Sequence, residues 1–115
     1  MFEKKFKEIH EYCEDVLSIS FIGKDGIIVS TSTDDVQKEE FSIELSEVIN
    51  SLENFWGYRD NDNLDEQVYH AEENTILIRK VSDFYFIILI MKPKANIGKA
   101  RFILRKNLLW FQKEI

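Results

Sequence analysis

A single cysteine, Cys13, leaves no partner for an internal disulfide, so a stapled secreted scaffold is excluded. A structural zinc site needs four donors, and Cys13, His10 and His70 supply only three from the usual soft set. Proline is nearly as scarce. Pro93 stands alone, no Pro/Ser-rich linker or repeat divides the 115 residues, and the length suits one domain over residues 1–115. Long apolar runs are missing too: the longest, Phe84 to Met91, falls far short of the roughly 20 residues that cross a bilayer, which argues against membrane insertion. The first residues, MFEKKFKEIHEY, interrupt with Glu3, Glu8 and Glu11 any segment a secretory signal would need. A soluble, cytoplasmic protein is the expectation.

What is present is ordinary globular material, 44% apolar and 31% charged. The charge is unevenly dealt. Residues 1–73 hold 19 carboxylates and 6 cations, residues 74–115 hold 2 and 9, and the whole sums to −6. An acidic chain is a poor ligand for a phosphate backbone, so nucleic acid is not an expected partner. The plain reading of the asymmetry is that acidic and basic helices fold near one another and offset their fields.

Periodicity divides the chain into eight elements. Phe2, Phe6, Ile9, Cys13 and Val16 recur at helical spacing, with Lys4, Lys5, Lys7, Glu8 and Glu11 between them. Leu17, Ile19 and Phe21 then alternate with Ser18 and Ser20, as in a strand with one buried face. Gly23-Lys24-Asp25-Gly26 reads as the turn of a hairpin whose second strand runs from Ile27 to Thr31. A phosphate-binding loop is the sharper alternative, but the GxxxxGK[ST] spacing is missing and no helix follows.

Thr33, Asp34 and Asp35 offer caps to a second helix from Lys38 to Trp56, ended by Gly57. Its apolar face comprises Phe41, Leu45, Val48, Ile49, Leu52, Phe55 and Trp56. Ile43 falls opposite with Glu47, Asn50 and Asn54, a combination that a helix–helix contact between subunits can use. The polar stretch that follows includes Asp60-Asn61-Asp62-Asn63, which opens like a calcium loop. The fifth, sixth and twelfth places hold Leu64, Asp65 and Ala71, so the pattern fails.

Three strands follow, 66–72, 75–81 and 84–91, with connections short enough to force antiparallel neighbours. Phe84 to Met91 is apolar throughout and belongs in mid-sheet with helices above and below. The strand at 66–72, which carries Val68 and His70, alternates weakly, as an edge does, and an open edge invites another chain. Asn96 caps a last helix with Ile97, Ala100, Leu104, Leu108, Phe111 and Ile115 as core stripe. Phe102 and Leu109 lie nearly opposite, among Lys99, Arg105, Lys106 and Lys113. Either cationic stems cover them or they form a docking stripe of Phe102, Lys106 and Leu109.

No catalytic set emerges. His10 and Cys13 are three apart, which makes them helical neighbours, but Cys13 sits on the apolar stripe and lacks an orienting acid. No cofactor site, metal site or enzymatic activity is expected.

The order helix, two-strand hairpin, helix, three-strand meander, helix resembles the roadblock/dynein light-chain family, and in particular its single-domain bacterial and archaeal members. Ser20 to Ser30, strand, Asp-Gly turn and second strand, is similar to the family's first hairpin. Ala95-Asn96-Ile97-Gly98-Lys99-Ala100-Arg101 is similar to the Ala-Asn-Leu-Gly lead-in to its last helix. The polar stretch Gly57 to Asp65 departs from the family's tighter connection. The resemblance implies an α+β fold, a three-layer α/β/α sandwich around a five-stranded antiparallel sheet, with one helix on one side and two on the other. It implies a homodimer built from the middle helix and the first meander strand, which here places Ile43, Glu47, Asn50, Val68 and His70 at the interface. The implied partner is a small Ras-like GTPase, whose own switch loops the dimer would order without an inserted arginine. A profilin-like sensory or small-ligand-binding domain is the alternative, and it requires a sizeable apolar pocket. Phe84, Phe86, Trp56 and Phe111 are instead expected to fill the interior.

Overall fold

The computed structural model describes residues 1–32, 38–60 and 64–115, without the side chains of 38–42 and 56–60. Its elements run α1 (Phe2–Tyr12), β1 (Val16–Gly23), β2 (Ile28–Thr31), α2 (Lys38–Asp60), β3 (Glu66–His70), β4 (Thr75–Ser82), β5 (Tyr85–Met91) and α3 (Ile97–Lys113). The strands form one sheet in the order β2-β1-β5-β4-β3, antiparallel throughout. This is the expected α+β sandwich with a five-stranded antiparallel sheet and the expected element order.

β5 is the central strand, and its pleat explains the layers. Ile87, Leu89 and Met91 point into the larger core, where Phe6 and Ile9 of α1 and Leu104 and Phe111 of α3 meet them. Phe86 and Ile88 point the other way, into a smaller core with Ile22, Ile78 and Ile49 of α2. A strand apolar at successive positions can satisfy both faces only between two helical layers. The larger core is rich in rings. Phe111 stacks 5.8 Å from Phe21, and Phe2 lies 5.1 Å from Phe21.

Several sequence expectations shift. α1 ends at Tyr12, and Cys13 caps it in extended backbone, so Cys13 and Val16 are buried by the turn into β1 rather than by a helical stripe. β1 is not one-faced: Leu17 is exposed at an irregularity in the β1–β5 register, while Ser18 and Ser20 are buried. Ser20 shares a 3.0 Å hydroxyl hydrogen bond with Thr31 across the hairpin. Gly57 does not stop α2, which continues to Asp60. Phe84 is 70% exposed in the β4–β5 turn and fills no interior space, and Ile115 is exposed beyond the end of α3. Ile103 and Asn107 join the buried face of α3 instead. The caps proposed at Thr33, Asp34 and Asp35, the packing of Phe41 and Trp56, and the loop at Asn61 to Asn63 lie outside the described residues.

The Asp-Gly hairpin is as expected. Gly26 adopts φ +89°, its amide donates to the Gly23 carbonyl at 2.9 Å, and the Ile27 amide donates to Asp25 Oδ1 at 3.0 Å. A Cβ on Gly26 would stand 2.9 Å from the Ile43 Cα, so the left-handed backbone and the close helix both demand glycine. Asn96 caps α3 as expected, its Oδ1 accepting from the Lys99 amide at 3.1 Å.

Two stability outcomes follow. Phe111→Ala should lower the unfolding free energy by about 3–5 kcal/mol, because its ring is fully buried among Phe2, Phe6, Phe21 and Trp110. Gly26→Ala should cost about 1–3 kcal/mol through backbone strain and the clash with α2. Urea titration with a fluorescence readout measures both, and an unchanged midpoint for either would contradict the packing described.

Candidate dimer and docking surfaces

α2 carries the chain from the β2 edge of the sheet to the β3 edge, and 23 residues are long enough to do so. Three polar side chains pin it down. Ser46 Oγ and Asn50 Nδ2 both donate to the Lys24 carbonyl in the β1–β2 turn, the latter at 3.0 Å. Glu53 lies between Lys24 Nζ at 3.2 Å and Lys80 Nζ at 3.8 Å, linking the hairpin, β4 and the helix. Between these anchors only Ile49 is a fully buried apolar side chain on the described part of α2, with Leu45 packed partly beneath it.

Among the described side chains the inward face is therefore narrow, and the outward face keeps apolar groups. Val48 is 46% exposed and Phe55 54%, seven residues apart, flanked by exposed Glu44, Glu47, Ser51 and Asn54. The sequence assigned Val48 and Phe55 to the core, and the structure turns them outward. It also corrects Asn50, which lies inward against Lys24 rather than beside Ile43 and Glu47 on the far side. Ile43 is exposed, as expected, but it abuts the β1–β2 turn at Gly26.

β3 is an edge strand. Its pairing to β4 runs from Glu66↔Arg79 to His70↔Thr75, and its other side has no strand among the described residues. Val68 packs its side chain against the larger core, so what it offers an adjoining chain is backbone. His70 is exposed at the strand end. Tyr69, on the α2 side, donates its hydroxyl to Gln67 Oε1 at 2.6 Å, and partial burial pushes its pKa up. The structure thus separates the expected interface residues: Ile43 sits by the β1–β2 hairpin, Val68 and His70 on the opposite edge of the sheet, with Glu47 on the helix between them.

α3 presents the third surface. Its helix buries Ala100, Ile103, Leu104, Asn107 and Phe111, which puts Phe102 and Leu109 along the opposite crest, 50% and 61% exposed. Lys106 is exposed beside them. Cationic stems therefore do not bury these two groups. Phe102 leans on the Tyr12 ring at 5.9 Å, and Lys99 Nζ stands 5.2 Å over that ring. Arg101 grips Glu66 of β3 through Nε at 2.9 and 3.0 Å, tying α3 to the open edge.

These arrangements match a known architecture over nearly its whole length. The structure superimposes on Myxococcus xanthus MglB with a TM-score of 0.86, covering 96% of this chain and 91% of that one at 10% identity. A Roadblock/LC7 domain from Streptomyces avermitilis gives 0.78, with 95% and 96% covered at 9% identity. The fold is that of the roadblock domains. Profilin IB from Acanthamoeba castellanii gives a lower score, 0.69, with 99% and 98% covered at 12% identity. No protein-family model matches the sequence, and no curated protein matches it. The resemblance read from the hairpin and the Asn96 lead-in thus holds at the level of the roadblock fold.

The cavities bear on the profilin-like alternative. The described grooves are open, the largest about 590 Å³ between α1 and the β2 end, lined by Phe6, His10 and Glu11 among charged and hydroxyl groups. None of those described is the apolar pocket that such a role requires. His10 donates from Nδ1 to the Val16 carbonyl at 3.1 Å, so this ring nitrogen is occupied by backbone rather than paired with Cys13. Burial pushes the Cys13 thiol above its ordinary value of 9.0.

Cys13 should therefore resist a thiol-reactive probe at neutral pH and react only upon unfolding; labelling at the native rate of a free thiol would contradict its burial. Because Cys13 and Tyr69 both hold their protons more tightly when folded, their contribution is complete below their ordinary values of 9.0 and 10.0 and is lost as pH rises beyond them. Asn50→Ala should cost about 1 kcal/mol by removing one of the donors that hold α2 to the hairpin. Denaturation at neutral pH measures it.

Proposed function

We propose that this chain is a homodimeric, non-enzymatic regulator that binds a small Ras-like GTPase, either scaffolding it or stimulating its GTP hydrolysis by ordering the GTPase's own switch loops. The observation that carries the reading is the pairing of an open edge strand, β3, with a long helix, α2, whose outward face keeps Val48 and Phe55 half exposed. An unpaired backbone ladder and an exposed apolar helical stripe are both costly in an isolated protomer, and a second copy relieves both. The likeness in fold to MglB and to a Roadblock/LC7 domain supports the same assembly, since the roadblock resemblance implies a dimer through these two elements.

The chemistry supports regulation rather than catalysis. The surfaces described above offer hydrogen-bonded anchors and apolar stripes, which suit recognition, and the one thiol is buried. A scaffold acts by lowering the free energy of one conformation of its partner, which needs complementary surface and no nucleophile. The setting for such a scaffold is the cytoplasm, where small GTPases act.

Light scattering should give twice 13.7 kDa for the wild type and 13.7 kDa for Val48→Asp at micromolar concentration. A wild type that runs as a monomer would overturn the dimer. The wild type should also co-elute with a Ras-like GTPase from its own genome or raise that GTPase's turnover. A dimer that does neither, in either nucleotide state, would leave assembly intact and remove the GTPase role.

A further inference from the structure

The protein is electrically two-sided, and the sides coincide with its layers. α2, on one face of the sheet, carries six carboxylates and two cations, a net of −4. α1 and α3 cover the other face. α1 is balanced, with three lysines and three glutamates. α3 carries Lys99, Arg101, Arg105, Lys106 and Lys113 and no carboxylate at all. A chain of net −6 therefore concentrates positive charge on one helix, and the crest of that helix is where Phe102 and Leu109 protrude.

From this juxtaposition we infer that the α3 crest is a docking surface for an anionic phospholipid bilayer, with Phe102 and Leu109 entering the headgroup layer and Arg105, Lys106 and Lys113 meeting lipid phosphates.

Three features favour lipid over an acidic protein. The surface is a ridge rather than a groove. The cleft that opens on α3 beside Arg101, Leu104 and Arg105 holds about 20 Å³, room for one water and not for a side chain. A peptide or helix is recognised in a groove lined by apolar walls. A bilayer interface instead accepts apolar tips from a convex face while cations on long stems reach the phosphates. The spacing also fits: Phe102 and Leu109 are two turns apart along the same line, so both reach a plane at once. Finally, most of these cations are uncommitted to the fold. Among the described residues Glu66 takes Arg101, whereas Arg105, Lys106 and Lys113 stand exposed.

No bilayer need be crossed, and no described helix is long and apolar enough to do so. The inference stands on one chain and does not need the GTPase. Dimerisation through β3 would strengthen it, because antiparallel edge pairing places the two-fold axis normal to the sheet. Both α3 helices would then lie on one side, and two weak attachments would act as one. The acidic α2 layer would face away from the lipid.

The test is sedimentation of the full chain with vesicles of phosphatidylcholine alone or mixed with phosphatidylserine, with light scattering of the same samples to report oligomeric state separately. The wild type should bind the mixed vesicles, leave the neutral ones in solution, and be released by salt. Arg105→Gln with Lys106→Gln should weaken binding about 30-fold, and Leu109→Ser about tenfold or more. All three positions are exposed, so circular dichroism should show native folds. Equal binding by the glutamine variant, or no preference of the wild type for anionic vesicles, would overturn the inference. So would salt-sensitive binding to a polyglutamate peptide in the absence of vesicle binding, which would make the occupant an acidic protein.

Discussion

The constraint on which the rest of the structure depends is the central strand. β5 is apolar on both faces, with Ile87, Leu89 and Met91 on one and Phe86 and Ile88 on the other. Such a strand cannot face water on either side, so the sheet must be sandwiched, and the described residues form three helices with which to do it. Two of them, α1 and α3, build a thick core cemented by Phe6, Phe21 and Phe111. The single helix left for the other face covers five strands with Ile49, Leu45 and a set of polar anchors.

That imbalance shows at the surface. Among its described side chains, α2 is held to the sheet by Ile49 and Leu45, by hydrogen bonds to the Lys24 carbonyl, and by Glu53 between two lysines. Val48 and Phe55 point outward on the same helix and are exposed. The same strand order that centres β5 leaves β3 at the margin. An open ladder and a half-wet helix thus follow from how the sheet is ordered and covered. On the opposite face, α3 contributes so fully to the core through Ala100, Leu104 and Phe111 that its far side is free to specialise. That side carries charge of one sign.

Much of this was legible in the residues. The period change at Val16, the Asp25-Gly26 turn, the unbroken apolar run to Met91 and the cap at Asn96 are local signals, set by side chains a few positions apart. They determined the order of elements, the antiparallel meander and the central place of β5. Phe102 and Leu109 were legible for the same reason, since helical phase alone puts them opposite Ala100 and Phe111.

The rest was decided by tertiary structure, because it depends on which neighbour arrives. Ser18 and Ser20 look solvent-facing by alternation, yet both are buried in the folded sheet. Cys13 continues a helical pattern, yet the backbone leaves the helix before it and buries it by other means. Val48 and Asn50 exchange their expected sides: Ser46 and Asn50 turn inward and donate to the Lys24 carbonyl, while Val48 is exposed. Gly57 does not end α2, whose backbone stays helical to Asp60. The sequence by itself therefore determined the elements and their order, through local periodicity. Which face of the described part of α2 meets the sheet depends on long-range contacts that no local pattern encodes, among them the core around Ile49 and the hydrogen bonds to the Lys24 carbonyl.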